Sequence, residues 1–139
     1  MIEYREFGPE RTEEAAAIYR DRDWQSYLGD SEKLSRAFAN SAYLLGAFDG
    51  DRLVGFARCV SDGEYIAYVQ DLIVHSAYQR RGIGRALMER VSARYEGVRQ
   101  FALITDKDDE DSNAFYRAIG MVSECNGFPV NHYFRKALK

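Results

Sequence analysis

The 139-residue chain has the length of one domain. With 46% hydrophobic and 29% charged residues it is too apolar for intrinsic disorder, and a formal net charge of −3 argues against broad binding to nucleic acid or an anionic membrane. No apolar run approaches the roughly 20 residues that span a bilayer, and residues 1–7 lack the basic-then-apolar pattern of a signal peptide, so a cytoplasmic protein is expected.

Residues 2–7 alternate apolar and charged side chains, a short strand pattern ended by Gly8 and Pro9. Thr12 is the expected N-cap of a first helix, with Glu13 and Glu14 in its first turn and Ala15, Ile18 and Tyr19 on its apolar stripe. Asp30 or Ser31 caps a second, with Leu34, Ala37 and Phe38 inward. Asp49-Gly50 and Asp62-Gly63 then separate three β-rich runs, at 42–48, 52–60 and 64–74, which reads as an antiparallel meander.

A turn with Gly82 and Gly84 leads into a third helix, on which Ile83, Leu87, Val91 and Tyr95 recur every four residues up to Gly97. Residues 101–105 read as a buried strand. Residues 109–119 read as a helix with Ala114, Phe115, Ala118 and Ile119 inward. Two short strands are expected near 121–124 and 131–135. The fold class is α+β, with a mixed, mainly antiparallel sheet and about four helices. Cys59 and Cys125 lack CxxC spacing, and with only His75 and His132 no zinc ligand set is expected. Both cysteines read as buried, reduced thiols.

The segment from Asp71 to Leu87 carries the most chemistry: a strand enters a glycine-bearing turn and a helix starts at once. The free amides at such a helix start, with its dipole, make an anion site. Arg80, Arg81 and Arg85 add cations around it, so a polyanion such as a pyrophosphate is expected. There is no GxxxxGK[ST], and Leu87 stands where a GxGxxG would need its third glycine.

Gln79-Arg80-Arg81-Gly82-Ile83-Gly84 resembles the Q/R-x-x-G-x-G/A signature of GNAT-type N-acetyltransferases. Phe115-Tyr116-Arg117-Ala118-Ile119-Gly120-Met121 is similar to the family's FYxxxGF, with Met121 replacing the aromatic. The element order matches across nearly the whole chain, which implies a single N-acetyltransferase domain over 1–139. The resemblance implies acetyl-CoA as acyl-donor cosubstrate, without a metal, its pyrophosphate held by the backbone of Gln79, Arg80, Arg81, Gly82, Ile83, Gly84 and Arg85. It implies pantetheine pairing along Leu72, Ile73 and Val74, with the Leu72 N–H directed at the thioester oxygen, an oxyanion-hole role.

Tyr116 matches the family's tyrosine near the CoA sulfur. A free tyrosine near 10 against a thiol near 8.5 makes full proton transfer uphill by about 2 kcal/mol, so it reads as a hydrogen-bond donor to the departing thiolate. Where the family often has Asn touching pantetheine, this chain has Asp109, and Asn113 is the candidate substitute.

The resemblance implies an acceptor pocket at the first two helices, their loop and the central strands, here Trp24, Tyr27, Arg58, Tyr68 and Gln70, and a small-molecule primary amine as acceptor; the aromatic lining suits an aromatic or arylalkyl amine. An alkylamine near pKa 10.4 is about one part in 2,500 neutral at pH 7, so its proton must be removed, by Asp71, Glu64 or a water relay. Asp71 has the wrong strand parity unless a bulge re-aims it. No nucleic-acid or membrane partner is expected, and a homodimer is an allowed assembly. The competing reading is a non-catalytic acyl-CoA sensor on the same fold.

Overall fold

The computed structural model describes residues 1–133 and 135. The chain forms two compact units, Met1–Ile104 and Thr105–Lys139.

The first unit is built on a five-stranded sheet in the order β1(Ile2–Glu6), β2(Tyr43–Asp49), β3(Arg52–Ser61), β4(Ile66–Val74), β5(Gln100–Leu103). Each of the first four strands is antiparallel to its neighbour and β5 joins β4 in parallel, so the expected meander and mixed sheet are present. Its two tight turns place Gly50 at φ +61° and Gly63 at φ +80°, where glycine carries no Cβ penalty.

Helices α1(Thr12–Asp21) and α2(Ser31–Ala39) cover one face of the sheet. Their Ala15, Ile18, Tyr19, Leu34 and Phe38 bury against Leu44, Phe48, Phe56 and Ile73, and each fully buried Phe or Ile adds roughly 1.5–3 kcal/mol. The third helix, α3(Ile83–Arg94), buries Ile83, Leu87, Met88 and Val91, and Tyr95 at its end meets Tyr43 edge-on on the opposite face. Asp30 caps α2 as expected, accepting from the Lys33 amide. Thr12 does not cap α1. A 3-10 turn at Pro9–Arg11 precedes the helix, Arg11 holds the cap position, and the Thr12 hydroxyl donates to the Pro9 carbonyl at 2.6 Å.

One irregularity re-aims the site. In the β3–β4 register Arg58 faces Asp71 and Cys59 faces Val69, which leaves Gln70 as an extra residue. Asp71 therefore shares a face with Arg58, Phe56 and Tyr68 under α1 and α2, while Val69 shares the α3 face with Cys59. The bulge that could overcome the parity of Asp71 is present.

The second unit contains α4(Glu110–Ala118), capped by Asp109 accepting from the Ser112 amide. Its half-buried residues are Ser112, Asn113, Phe115 and Tyr116, with Ile119 at its end, whereas Ala114 and Ala118, expected inward, are exposed. The strand expected at 121–124 is absent: 121–123 is irregular and a 3-10 turn follows at Glu124–Asn126. Residues 131–133 and 135 are not in a strand, and Phe134 of that expected strand lies outside the described residues. Cys59 is buried as expected and its thiol is pushed up to about 12 by burial, whereas Cys125 is exposed. Among the described residues no helix is long and apolar enough to cross a membrane.

Candidate functional site

Strand β4 runs five residues past its last β5 partner. Pairing covers Ile66 to Val69, and Gln70, Asp71, Leu72, Ile73 and Val74 continue without a β5 neighbour. Close approach to β3 is kept by Gly55, where a Cβ would lie 2.9 Å from the Ile73 carbonyl oxygen. The chain then passes His75 and a 3-10 turn at Ser76–Tyr78 and enters α3.

Three contacts fix this approach. The His75 amide donates to the Val54 carbonyl at 2.8 Å. Asp21, at the end of α1, accepts from the Ser76 amide at 2.7 Å and from its hydroxyl at 2.8 Å, and these donors hold the Asp21 carboxyl below its usual value. The Tyr78 hydroxyl donates to Asp49 at 2.6 Å. The sequence does not point to Asp21 or Tyr78, and points to Asp49 only as a turn residue, because partners more than twenty residues apart leave no local spacing signal.

In the turn itself Arg80 (φ +61°) and Gly82 (φ +78°) are both left-handed. Gly82 is the N-cap of α3, and no side chain caps that end. The first helical bond there runs from the Ala86 amide to the Gly82 carbonyl at 3.0 Å, so the Ile83, Gly84 and Arg85 amides precede the regular ladder. Gln79, Arg80, Arg81 and Arg85 are exposed. Arg81 lies 4.9 Å from the Tyr78 ring centre, and Arg85 bonds Glu89 at 3.1 Å. The arrangement is an anion cradle by geometry and charge.

On the α1–α2 face, Asp71 is the focus. It is 2% exposed, and its Oδ2 accepts from Tyr19 Oη at 2.8 Å and Arg58 Nε at 2.6 Å, while Oδ1 accepts from Tyr27 Oη at 2.5 Å. Gln70 Nε2 donates to Tyr27 Oη at 3.0 Å, and Arg58 Nη1 reaches Ser41 Oγ at 3.4 Å. Burial, reinforced by the Asp71 charge, raises the pKa of both Tyr19 and Tyr27, so both remain donors. Burial opposes the Arg58 charge, but Asp71 outweighs it and the Arg58 pKa is raised. Trp24 and Tyr27 both stack on Tyr19, at 6.0 and 4.3 Å between ring centres, as an extension of the core.

The structure thus brings together Trp24, Tyr27, Arg58 and Gln70, all expected at the acceptor site: Tyr19 stacks with Trp24 and Tyr27, Asp71 accepts from Tyr27 and Arg58, and Gln70 donates to Tyr27. The Arg58 charge is buried and paired with Asp71. Tyr68 lies on the same face, with its hydroxyl pushed up mainly by burial. Glu64 lies in the turn before β4, not on the strand. Tyr27 also lines a recess of about 240 Å³ with Glu13 and Arg20 of α1 and Ser31 and Leu34 of α2.

In the second unit, burial and then the Asp109 carboxylate push the Tyr116 hydroxyl up to about 12. Both ends of the Asn113 amide are occupied. Its Nδ2 donates to the Asp106, Lys107 and Asp109 carbonyls at 2.9, 3.3 and 2.8 Å, and its Oδ1 accepts from Thr105 Oγ1 at 2.5 Å. That side chain ties the preceding loop to α4.

The model of the Acetyltransferase (GNAT) family matches residues 4–121. The chain belongs to the GNAT acetyltransferase family. A GNAT-family acetyltransferase structure from Streptococcus pneumoniae TIGR4 is 30% identical, with a TM-score of 0.77 over 96% of both chains. Serotonin N-acetyltransferase 2, chloroplastic, of Oryza sativa subsp. japonica is 34% identical over 75% of this chain and 54% of its own length. An uncharacterized ycf52-like N-acetyltransferase of Prochlorococcus marinus is 32% identical over 68% of this chain and 54% of its own. The chain spans about half the length of the curated relatives it matches. The GNAT family's reaction is acetyl-CoA-dependent transfer.

Proposed function

We propose that this GNAT chain transfers the acetyl group of acetyl-CoA to the primary amine of a small arylalkylamine, by direct attack in a ternary complex. The observation that carries the reading is the free run of β4 from Gln70 to Val74 into an uncapped helix start with left-handed Arg80 and Gly82. A pantetheine arm needs unpaired backbone at a strand edge, and a pyrophosphate needs converging amides and cations. Leu72 and Val74 supply the first. The backbone from Gln79 to Arg85, with the side chains of Arg80 and Arg81, supplies the second.

In this reading the Leu72 amide donates to the thioester oxygen as negative charge grows there. Tyr116 donates a hydrogen bond to the sulfur as it leaves. At about 12, its full proton transfer to a thiolate near 8.5 is uphill by roughly 5 kcal/mol, which restricts it to the donor role more firmly than a free tyrosine would be. The amine's proton leaves through water, since both oxygens of Asp71 are engaged. The aromatic cluster of Trp24, Tyr19 and Tyr27 supports an arylalkyl acceptor, as does the rice relative's name, and the binding cluster is completed by Tyr68 and Gln70.

The test is release of free CoA thiol from acetyl-CoA with a panel of arylalkylamines, polyamines and amino acids. Release that requires the protein and is fastest with an arylalkylamine is expected. CoA binding without thiol release for any amine would replace the enzyme with a sensor.

A further inference from the structure

We propose that Asp71 is a positioning residue for the amine acceptor: its buried carboxylate fixes Tyr27, and with it the loop between α1 and α2, where β4 leaves β5, and it does not take the acceptor's proton. This rests on the acetyltransferase reading above. A carboxylate on the acceptor-facing strand is the obvious base, and the Gln70 bulge directs it to the correct face. Its surroundings assign it another task.

A general base needs a lone pair open to the incoming proton, within hydrogen-bond reach directly or through one water. Asp71 is 2% exposed and holds three donors from three separate segments: Tyr19 of α1, Tyr27 of the loop and Arg58 of β3. The titratable or charged groups that interact with it are these three, Tyr68 of its own strand and the buried Cys59 thiol of β3. Accepting a further proton would weaken the Arg58 pair and leave a buried cation short of its partner, a costly state.

What Asp71 does control is Tyr27. That hydroxyl donates to Asp71 Oδ1 and accepts from the exposed Gln70 amide in the bulge, while its ring stacks on Tyr19 at 4.3 Å. Asp71 therefore sets the position of an aromatic wall that is only half-buried and that also lines the recess between α1 and α2. Loosening this wall weakens capture of an arylalkylamine and leaves the chemistry of the bound complex largely intact.

Two variants test this. Tyr27→Phe keeps the ring, its stack and the Asp71–Arg58 pair but removes the hydroxyl, and Asp71→Asn removes the charge. Amide hydrogen exchange over residues 22–30 is read in both, with α3 as the internal control. Steady-state kinetics are read with phenethylamine across pH 6–9. In Tyr27→Phe, faster exchange at 22–30 with α3 unchanged is expected; Asp71→Asn also strands the buried Arg58 cation and lowers global stability, so its exchange at 22–30 is read relative to α3. In both, the amine KM rises about 10-fold or more and kcat stays within about 3-fold. The acetyl-CoA KM and the pH dependence of kcat should not move. Unchanged exchange at 22–30 in Tyr27→Phe overturns the proposal. So does a kcat loss above about 100-fold in Asp71→Asn with the acidic limb of the profile abolished, which would make Asp71 the base. If Asp71→Asn does not fold, Tyr27→Phe decides alone. If the wild type acetylates no amine, the acetyltransferase reading fails separately and the exchange data still decide whether Asp71 and Tyr27 hold the loop.

Discussion

Replacing Arg58 with Met leaves the Asp71 carboxylate buried without its cation. The side chains are 8% and 1% exposed and meet at 2.6 Å, so solvent cannot compensate the orphaned charge. Removing one partner of such a pair costs about 3–5 kcal/mol. At about 2.1 cal/mol/K of unfolding entropy per residue, a 139-residue chain loses roughly 10–17 °C in Tm. Adding Asp71→Asn to Arg58→Met removes the stranded charge and keeps an acceptor for Tyr19 or Tyr27. The double variant should therefore recover part of the loss. Thermal unfolding followed by circular dichroism at pH 7 reads all three proteins. A fall below about 3 °C in Arg58→Met, or a double variant less stable than that single one, refutes a buried ion pair at the centre of this network.

Gly82→Pro should weaken CoA binding by more than 10-fold in a folded protein, because φ +78° is closed to proline and the helix start must shift; calorimetric titration with CoA checks this. Tyr116→Phe should lower kcat by about 10- to 1,000-fold with little change in acetyl-CoA affinity, measured in a single-turnover assay, and wild-type kcat would leave Tyr116 a packing residue. Asp21 contributes stability above the ordinary carboxylate range, lost as pH falls through its depressed folded value. The Tm gap between wild type and Asp21→Asn should accordingly narrow from pH 6 to pH 3. A maleimide at pH 7 should label one thiol of the native protein, Cys125, and two after denaturation, because burial holds Cys59 as a thiol near 12.

The turn at Gly82, the Asp-Gly hairpins and the stripes of α1, α2 and α3 were legible because each is a local pattern of a few residues. The bulge at Gln70 was not. Ala67, Val69, Asp71 and Ile73 are buried in unbroken alternation, which reads as a plain strand with one buried face. Helices cover both faces of the sheet, so a residue can change face at the bulge and stay buried. The extra residue shows only in the pairing with β3. The partners of Asp71 were hidden for a related reason. Tyr19 reads as a core tyrosine on α1, which it is, and its hydroxyl meets a carboxylate 52 positions away only through the fold. On α4 Phe115 and Ile119 are half-buried as expected, but Tyr116 and not Ala114 or Ala118 joins them, because the alanines look apolar in sequence while the larger side chains carry the area worth burying.

The account stands on the donor lying along the free edge of β4 with its pyrophosphate at the start of α3. Backbone amide resonances during a CoA titration read this directly. The largest shifts are predicted at Leu72, Val74 and the Gly82, Ile83, Gly84 and Arg85 amides, with smaller ones elsewhere. Saturable CoA binding that leaves those six amides unmoved would contradict it.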